Sequence, residues 1–366
     1  MKEYLRYIFF SLFGGMVVFI FLSLLKGPGI PRRVERIRVI THRPPLTYRL
    51  PDEIAFCDER IPLEKRHVWE RLDKEYLLAV GNTPQVLLWL KRSNRYFPYI
   101  WEKLMEEELP GDLKYLAVIE SDLIQDVRSP VGAAGPWQLM KSTARKMGLR
   151  VDSVIDERYD FHRSTEAAIR YLKRLNRVFD SWTLSVAAYN VGMTRIQSEM
   201  RRQKINDYYY LELPEETERY LFRAIAAKLI LSKPEKFGLI LAEDQYYYPI
   251  PHDVVDLEVR GSISLETIAH ASQTHLKTIR ELNPHIRGHY LPPGHYAIKI
   301  PEGKIDTFEE NFKKSPRAIH VVKKGENLTN IARRYNISIS QLMKLNGIQR
   351  AETIYPGQHL IVARGT

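Results

Sequence analysis

The sequence is nearly without cysteine: one, Cys57, in 366 residues. A lone thiol excludes an internal disulfide framework. With no CxxC pair and no His-rich cluster, no structural metal and no cofactor is expected. Basic repeats interleaved with aromatics are also missing, and with them the footprint of a nucleic-acid binder. The formal charge of +11 instead favours anionic partners such as acidic lipid head groups or acidic cell-wall polymer. Long uncharged runs are absent save one. Residues 7–25, YIFFSLFGGMVVFIFLSLL, are free of charge and approach the ~20 residues that cross a bilayer as a helix. No small-residue cleavage site closes the run, so 1–25 reads as an N-terminal membrane anchor rather than a cleaved signal. The basic residues after it (Lys26, Arg32, Arg33, Arg36, Arg38) outnumber Lys2 and Arg6 before it. On the positive-inside rule alone, that would hold the rest of the chain in the cytoplasm.

Residues 26–61 carry Pro28, Pro31, Pro44, Pro45 and Pro51 without sustained periodicity, as expected of an extended tether. From 62 to 235 apolar residues recur at i, i+3, i+4 and i+7, which predicts an almost wholly α-helical domain. Expected helices cover 67–80, 83–109, 113–123, 142–147, 164–178, 183–190 and 215–231. Ser164 is read as the N-cap of its helix, with Glu166 in the first turn. Beyond Lys233-Pro234 short β-rich pieces flank short helices. Residues 318–364 run strand, two helices ending in Leu345-Asn346, then a strand after Pro356-Gly357. Residues 245–302 follow the same plan, with Leu282-Asn283-Pro284 in the equivalent place. The chain therefore contains an internal repeat of a β-α-α-β module.

The stretch AVIESDLIQDVRSPVGAAGPWQLM (117–140) places a carboxylate, Glu120, at the end of an apolar helix. Apolar surroundings raise a carboxyl pKa, which suits a general acid working near neutrality. What is lacking is the partner. Glycoside hydrolysis ordinarily needs two carboxylates. Asp122, two residues on, does not share the helical face, and Asp126 is too near in sequence to lie across a sugar ring. One acid alone points to a reaction in which the substrate supplies the nucleophile.

Glu120-Ser121, SPVGAAGPWQLM (129–140), STEAAIRYL (164–172) and AAYNVG (187–192), in this order and spacing, resemble the lytic transglycosylases with a goose-lysozyme-like catalytic domain, of the membrane-bound murein D type. The module at 318–364 resembles LysM through Gly325, Leu328, Ile331, Tyr335, Asn346, Pro356 and Gly357. The copy at 245–302 is a degenerate, LysM-like module.

The resemblance implies a mainly α lysozyme-like catalytic domain (62–235) followed by small α+β LysM modules. It also implies an enzyme that cleaves peptidoglycan without water. Glu120 would act as general acid and then as base on the sugar's own C6 hydroxyl, leaving a 1,6-anhydro end. Ser121 would hold the acid's end of the helix. Gly132 and Gly135 would let the backbone approach the glycan. Ser129, Gln138 and Met140 would line the cleft, Gln138 offering donor and acceptor. Ala188, Tyr189, Asn190 and Tyr220 would complete it, with the Tyr189 hydroxyl near Glu120. Trp137 reads as core, as do Leu328, Ile331 and Leu342. The expected partners are peptidoglycan glycan strands and, through the N-terminal helix, the inner membrane. A periplasm-facing location follows from where that glycan lies, against the charge rule. A muramidase hydrolase and a non-catalytic peptidoglycan-binding scaffold are the alternative readings.

Overall fold

The computed structural model describes residues 49–259, 262–314, 316–350 and 354–364. The expected anchor and most of the expected tether lie outside these residues. Among the described residues no helix is long and apolar enough to cross a membrane.

The chain enters through a two-residue hairpin, β1 (Ala55–Phe56) and β2 (Glu59–Arg60). Leu50, Ile54, Phe56, Cys57 and Ile61 are buried in the helical core. The end of the segment read as a tether is thus an integral part of the domain, and it also caps a distant helix. The Glu59 carboxylate accepts from the amides of Trp182 and Thr183 at the start of α6 (Trp182–Val191), where exposed N–H groups and the helix dipole favour an anion.

The remaining helices of this domain are α1 (Arg66–Gly81), α2 (Thr83–Glu106), α3 (Lys114–Ser121), α4 (Lys141–Lys146), α5 (Phe161–Phe179), α7 (Met193–Gln203) and α8 (Glu215–Leu231). Two departures from the periodic pattern have plain causes. Helix α5 begins three residues before Ser164, because Asp160 caps it by accepting from the Arg163 amide (3.0 Å). Ser164 itself is fully buried inside the helix. Helix α7 was not expected. It buries only Ile196 and the Arg-paired Glu199, leaving too narrow an apolar stripe to read.

Two β-α-α-β modules follow. The first pairs β3 (His252–Val259) with β6 (Gly294–Pro301) around β4 (Ile263–Ser264), α9 (Leu265–Ala271), α10 (Leu276–Leu282) and β5 (Tyr290–Leu291); α11 (Ile305–Lys314) follows and packs Phe308 into its core. The second pairs β7 (Pro316–Val321) with β8 (His359–Arg364) around α12 (Leu328–Arg334) and α13 (Ile339–Asn346). The repeat extends to single atoms. Asn283 donates to the carbonyls of Ile279 (2.9 Å) and Lys299 (2.7 Å) and accepts from the Lys299 amide. Asn346 does the same with Leu342, Ile361 and the Ile361 amide. In each module one asparagine pins the second helix to the last strand. Leu328, Ile331 and Leu342 are core.

Candidate active site

Helix α3 is apolar almost all round: Tyr115, Leu116, Ala117, Val118, Ile119 and Ser121 are buried. Beyond Lys114 at its start, Glu120 is the exception, because its carboxyl opens onto a cleft of about 480 Å³. Asp122 ends the helix in the left-handed conformation and is held by the Trp89 indole N–H (2.6 Å). That fixes the residues before it.

Burial pushes the Glu120 carboxyl up to about 7. A hydrogen bond from the Tyr220 hydroxyl (2.5 Å) and the Arg223 guanidinium pull the other way, while Glu216 adds to the rise. The end of a helix, where carbonyls point outward, also disfavours an anion. Glu120 is therefore a protonated or half-protonated acid near neutral pH, with a phenol donor on one oxygen.

Of the expected site residues, Glu120, Ser129, Gln138, Met140, Tyr189, Asn190 and Tyr220 line this one cleft. Met140 is 45% exposed and forms an apolar stretch of wall. Ser129 also closes its own turn by accepting from the Ala133 amide (3.0 Å). Asn190 accepts from the Thr217 hydroxyl (2.8 Å), tying α6 to α8.

Four residues sit elsewhere. Ser121 is buried behind the wall, where its hydroxyl bonds to the carbonyls of Pro136 (2.8 Å) and Ala117, joining the acid's helix to the 129–140 loop. Ala188 is wholly inside the core. Gly132 and Gly135 have positive φ but do not line the cleft. A Cβ on Gly135 would lie 1.7 Å from the Arg158 carbonyl oxygen, so this glycine admits neighbouring protein backbone rather than glycan. A Cβ on Gly132 would meet nothing within 4 Å. Gly132→Ala is accordingly expected to cost only the backbone strain, about 1–2 kcal/mol, in a denaturant titration. Gly135→Ala must displace backbone and is expected to cost clearly more; equal costs would contradict the packing described.

One expected role is sharpened and one changes. Tyr189 does lie near Glu120, and burial and then the Glu120 charge raise its pKa. Its hydroxyl, however, donates to the Trp137 carbonyl (2.7 Å), and the phenol bonded to Glu120 is Tyr220. The Gln138 amide nitrogen donates to the carbonyls of Val127 and Gly135, which leaves only its oxygen for a ligand. Trp137 is core, its indole N–H on Thr165 (2.9 Å). Asp126 faces a different cavity.

The structure adds residues that were not read from sequence: Thr143, Tyr171, Glu216 and Arg223 also line the cleft. Glu216, Tyr220 and Arg223 stand at i, i+4 and i+7 on α8, so they share one face. A second carboxylate is therefore present. Among the described residues no group of three or more His, Cys, Asp or Glu is placed to hold a metal ion.

Residues 99–211 match the transglycosylase SLT domain. Residues 254–317 match the LysM-like domain of lytic transglycosylase MltD, and residues 320–363 the LysM domain. Membrane-bound lytic murein transglycosylase D of Escherichia coli (strain K12) is 27% identical over 297 residues, 75% of this chain and 65% of that protein. The chain thus spans just under two thirds of that relative's length. An endolysin of Bacillus phage B103 is 36% identical over 102 residues, 27% of this chain and 35% of that one. The solved 70 kDa soluble lytic transglycosylase SLT70 of E. coli is 20% identical, with a TM-score of 0.35 covering 49% of this chain and 33% of that one. The chain is a homologue of the membrane-bound lytic murein transglycosylase D of E. coli, with a transglycosylase SLT domain followed by a LysM-like and a LysM domain.

Proposed function

We propose that the protein is a peptidoglycan lytic transglycosylase. It would cut the bond between N-acetylmuramic acid and N-acetylglucosamine and leave a 1,6-anhydro end. The observation that carries this reading is the part-buried Glu120 carboxyl, poised near pH 7 in the cleft of an SLT domain.

Glu120 gives its proton to the glycosidic oxygen as the C1–O bond breaks, and the departing sugar leaves as an alcohol. The carboxylate so formed takes the proton of the C6 hydroxyl while O6 bonds to C1. Glu120 ends as it began, and no water is consumed. The Tyr220 hydroxyl steadies the carboxylate while it is charged, and the substrate's acetamido group stabilises positive charge at C1. The LysM domain, and the expected N-terminal anchor, would keep the enzyme on the wall at the periplasmic face of the inner membrane. The name of the E. coli relative calls that protein membrane-bound, which supports the membrane part of this placement.

Glu216 favours a second reading, a muramidase-like hydrolase in which this carboxylate directs a water at C1.

Both readings need Glu120 protonated at the start, so activity is expected to fall above about pH 7. The Tyr220 hydrogen bond lowers the Glu120 pKa. Tyr220→Phe should therefore move that falling limb to higher pH, with loss of rate at the optimum. An unmoved limb in the pH profile of kcat/KM would separate Glu120 from the titration.

A further inference from the structure

We propose that the LysM-like module positions the wall of the catalytic cleft, acting through Asp156 and Arg158 as positioning residues, instead of serving as a free glycan-binding bead. Three observations connect the two.

The first is a backbone seam. Residues 154–156 of the SLT domain pair with the module: Ile155 bridges Ile286, the Asp156 amide donates to the His285 carbonyl (2.8 Å), and the Arg287 amide donates to the Val154 carbonyl (2.7 Å). Ile155 is buried in the module's own core beside Ile286 and Ile298.

The second is a set of side chains that fasten the seam. The Lys299 ammonium donates to the Asp160 carboxylate (3.2 Å), the group that caps α5. The Arg287 guanidinium lies 4.3 Å over the Tyr159 ring.

The third leads from the seam to the cleft. Asp156, whose amide is held by the module, forms a buried two-pronged pair with Arg158 (2.9 and 2.7 Å). The remaining arm of Arg158 donates to the carbonyls of Gly132 (2.8 Å) and Leu139 (3.0 Å). Those carbonyls belong to the 129–140 loop, which supplies Ser129, Gln138 and Met140 to the cleft. A planar guanidinium with donors in fixed directions sets the loop relative to the seam, as a lysine cannot. Undocking the module removes the hydrogen bond and packing that orient Asp156, and the loop loses its fixed reference.

The test is hydrogen exchange on the full-length chain, comparing wild type with Arg287→Ala, with Lys299→Met and with the pair. Both side chains lie on the module's surface toward the SLT domain, clear of its hydrophobic core. Amides of 154–160 and of 129–140 are expected to exchange about tenfold faster together, the response to losing a cation–π contact and a part-buried ion pair. Helix α1 should keep its wild-type protection. Wild-type exchange at 129–140 while 154–160 opens would overturn the proposal. So would an unresponsive seam, because the named contacts would then not hold the module.

The kinetic arm rests on the cleft being the glycan site: on soluble glycan strands KM rises several-fold while kcat and the limb near pH 7 stay in place. A coupled exchange response without measurable turnover would leave the positioning intact and count against the proposed activity alone.

Discussion

Glu120→Gln is expected to abolish turnover of peptidoglycan and, at the same time, to make the protein more stable above neutral pH. Loss of a general acid and base costs about 10²–10⁴-fold in rate, and here one group serves in both steps. The stability gain has its own sign. Glu120 titrates near 7 in the fold against 4.5 for the ordinary group. Below about pH 4.5 the carboxyl is protonated folded or unfolded, and the two proteins should melt alike. Between there and about pH 7 the unfolded chain gives up its proton first, so the wild type loses stability as pH rises. The loss is complete above the folded pKa, on the order of 3 kcal/mol. Glutamine never ionises, and its oxygen still accepts from Tyr220. Thermal melts at pH 4 and pH 8 check this: the difference should be small at the first and favour Glu120→Gln at the second. An equal or lower melting temperature at pH 8 would mean that the carboxyl is not held protonated by its surroundings.

Arg158→Leu is expected to destabilise the protein by about 3–5 kcal/mol, because it leaves the buried Asp156 carboxylate without its partner. Two carbonyls of the cleft loop lose their donor in the same stroke. Removing both charges with Asp156→Leu and Arg158→Leu should recover part of the loss, since the desolvated orphan charge is then gone. Urea unfolding monitored by intrinsic fluorescence measures each variant. A loss below about 1 kcal/mol for Arg158→Leu would show the pair to be as weak as a surface ion pair.

Much of this site was legible because its chemistry is local. Glu120 stood out as a charge at the end of the apolar run Leu116–Ile119, and the glycine-rich loop followed soon after it. Helix α8 lies where the 3.6-residue period placed it, at Glu215–Leu231. The same period already set Glu216 and Arg223 on the face of Tyr220; reading that face through would have brought the second carboxylate into view.

Non-local facts stayed hidden. Nothing near Gly135 in sequence announces that the Arg158 backbone will pass 1.7 Å from where a side chain would begin. The donors of Gln138 are committed to carbonyls that only the folded loop brings together. Phe56 and Ile61 sit among prolines and charges, too few to form a pattern, and find their place in a core assembled by later helices. The docking of the LysM-like module is of the same kind, since a β-α-α-β repeat carries no sign of which face it gives to its neighbour.

The central claim, cleavage without water, is tested most directly by mass spectrometry of the products released from purified peptidoglycan in isotopically labelled water. The account predicts muropeptides with 1,6-anhydro-N-acetylmuramic acid ends, each one water lighter than the hydrolysis product and free of label, formed by the wild type and absent with Glu120→Gln. Labelled reducing ends from the wild type would contradict it and favour the hydrolase reading, in which water attacks C1.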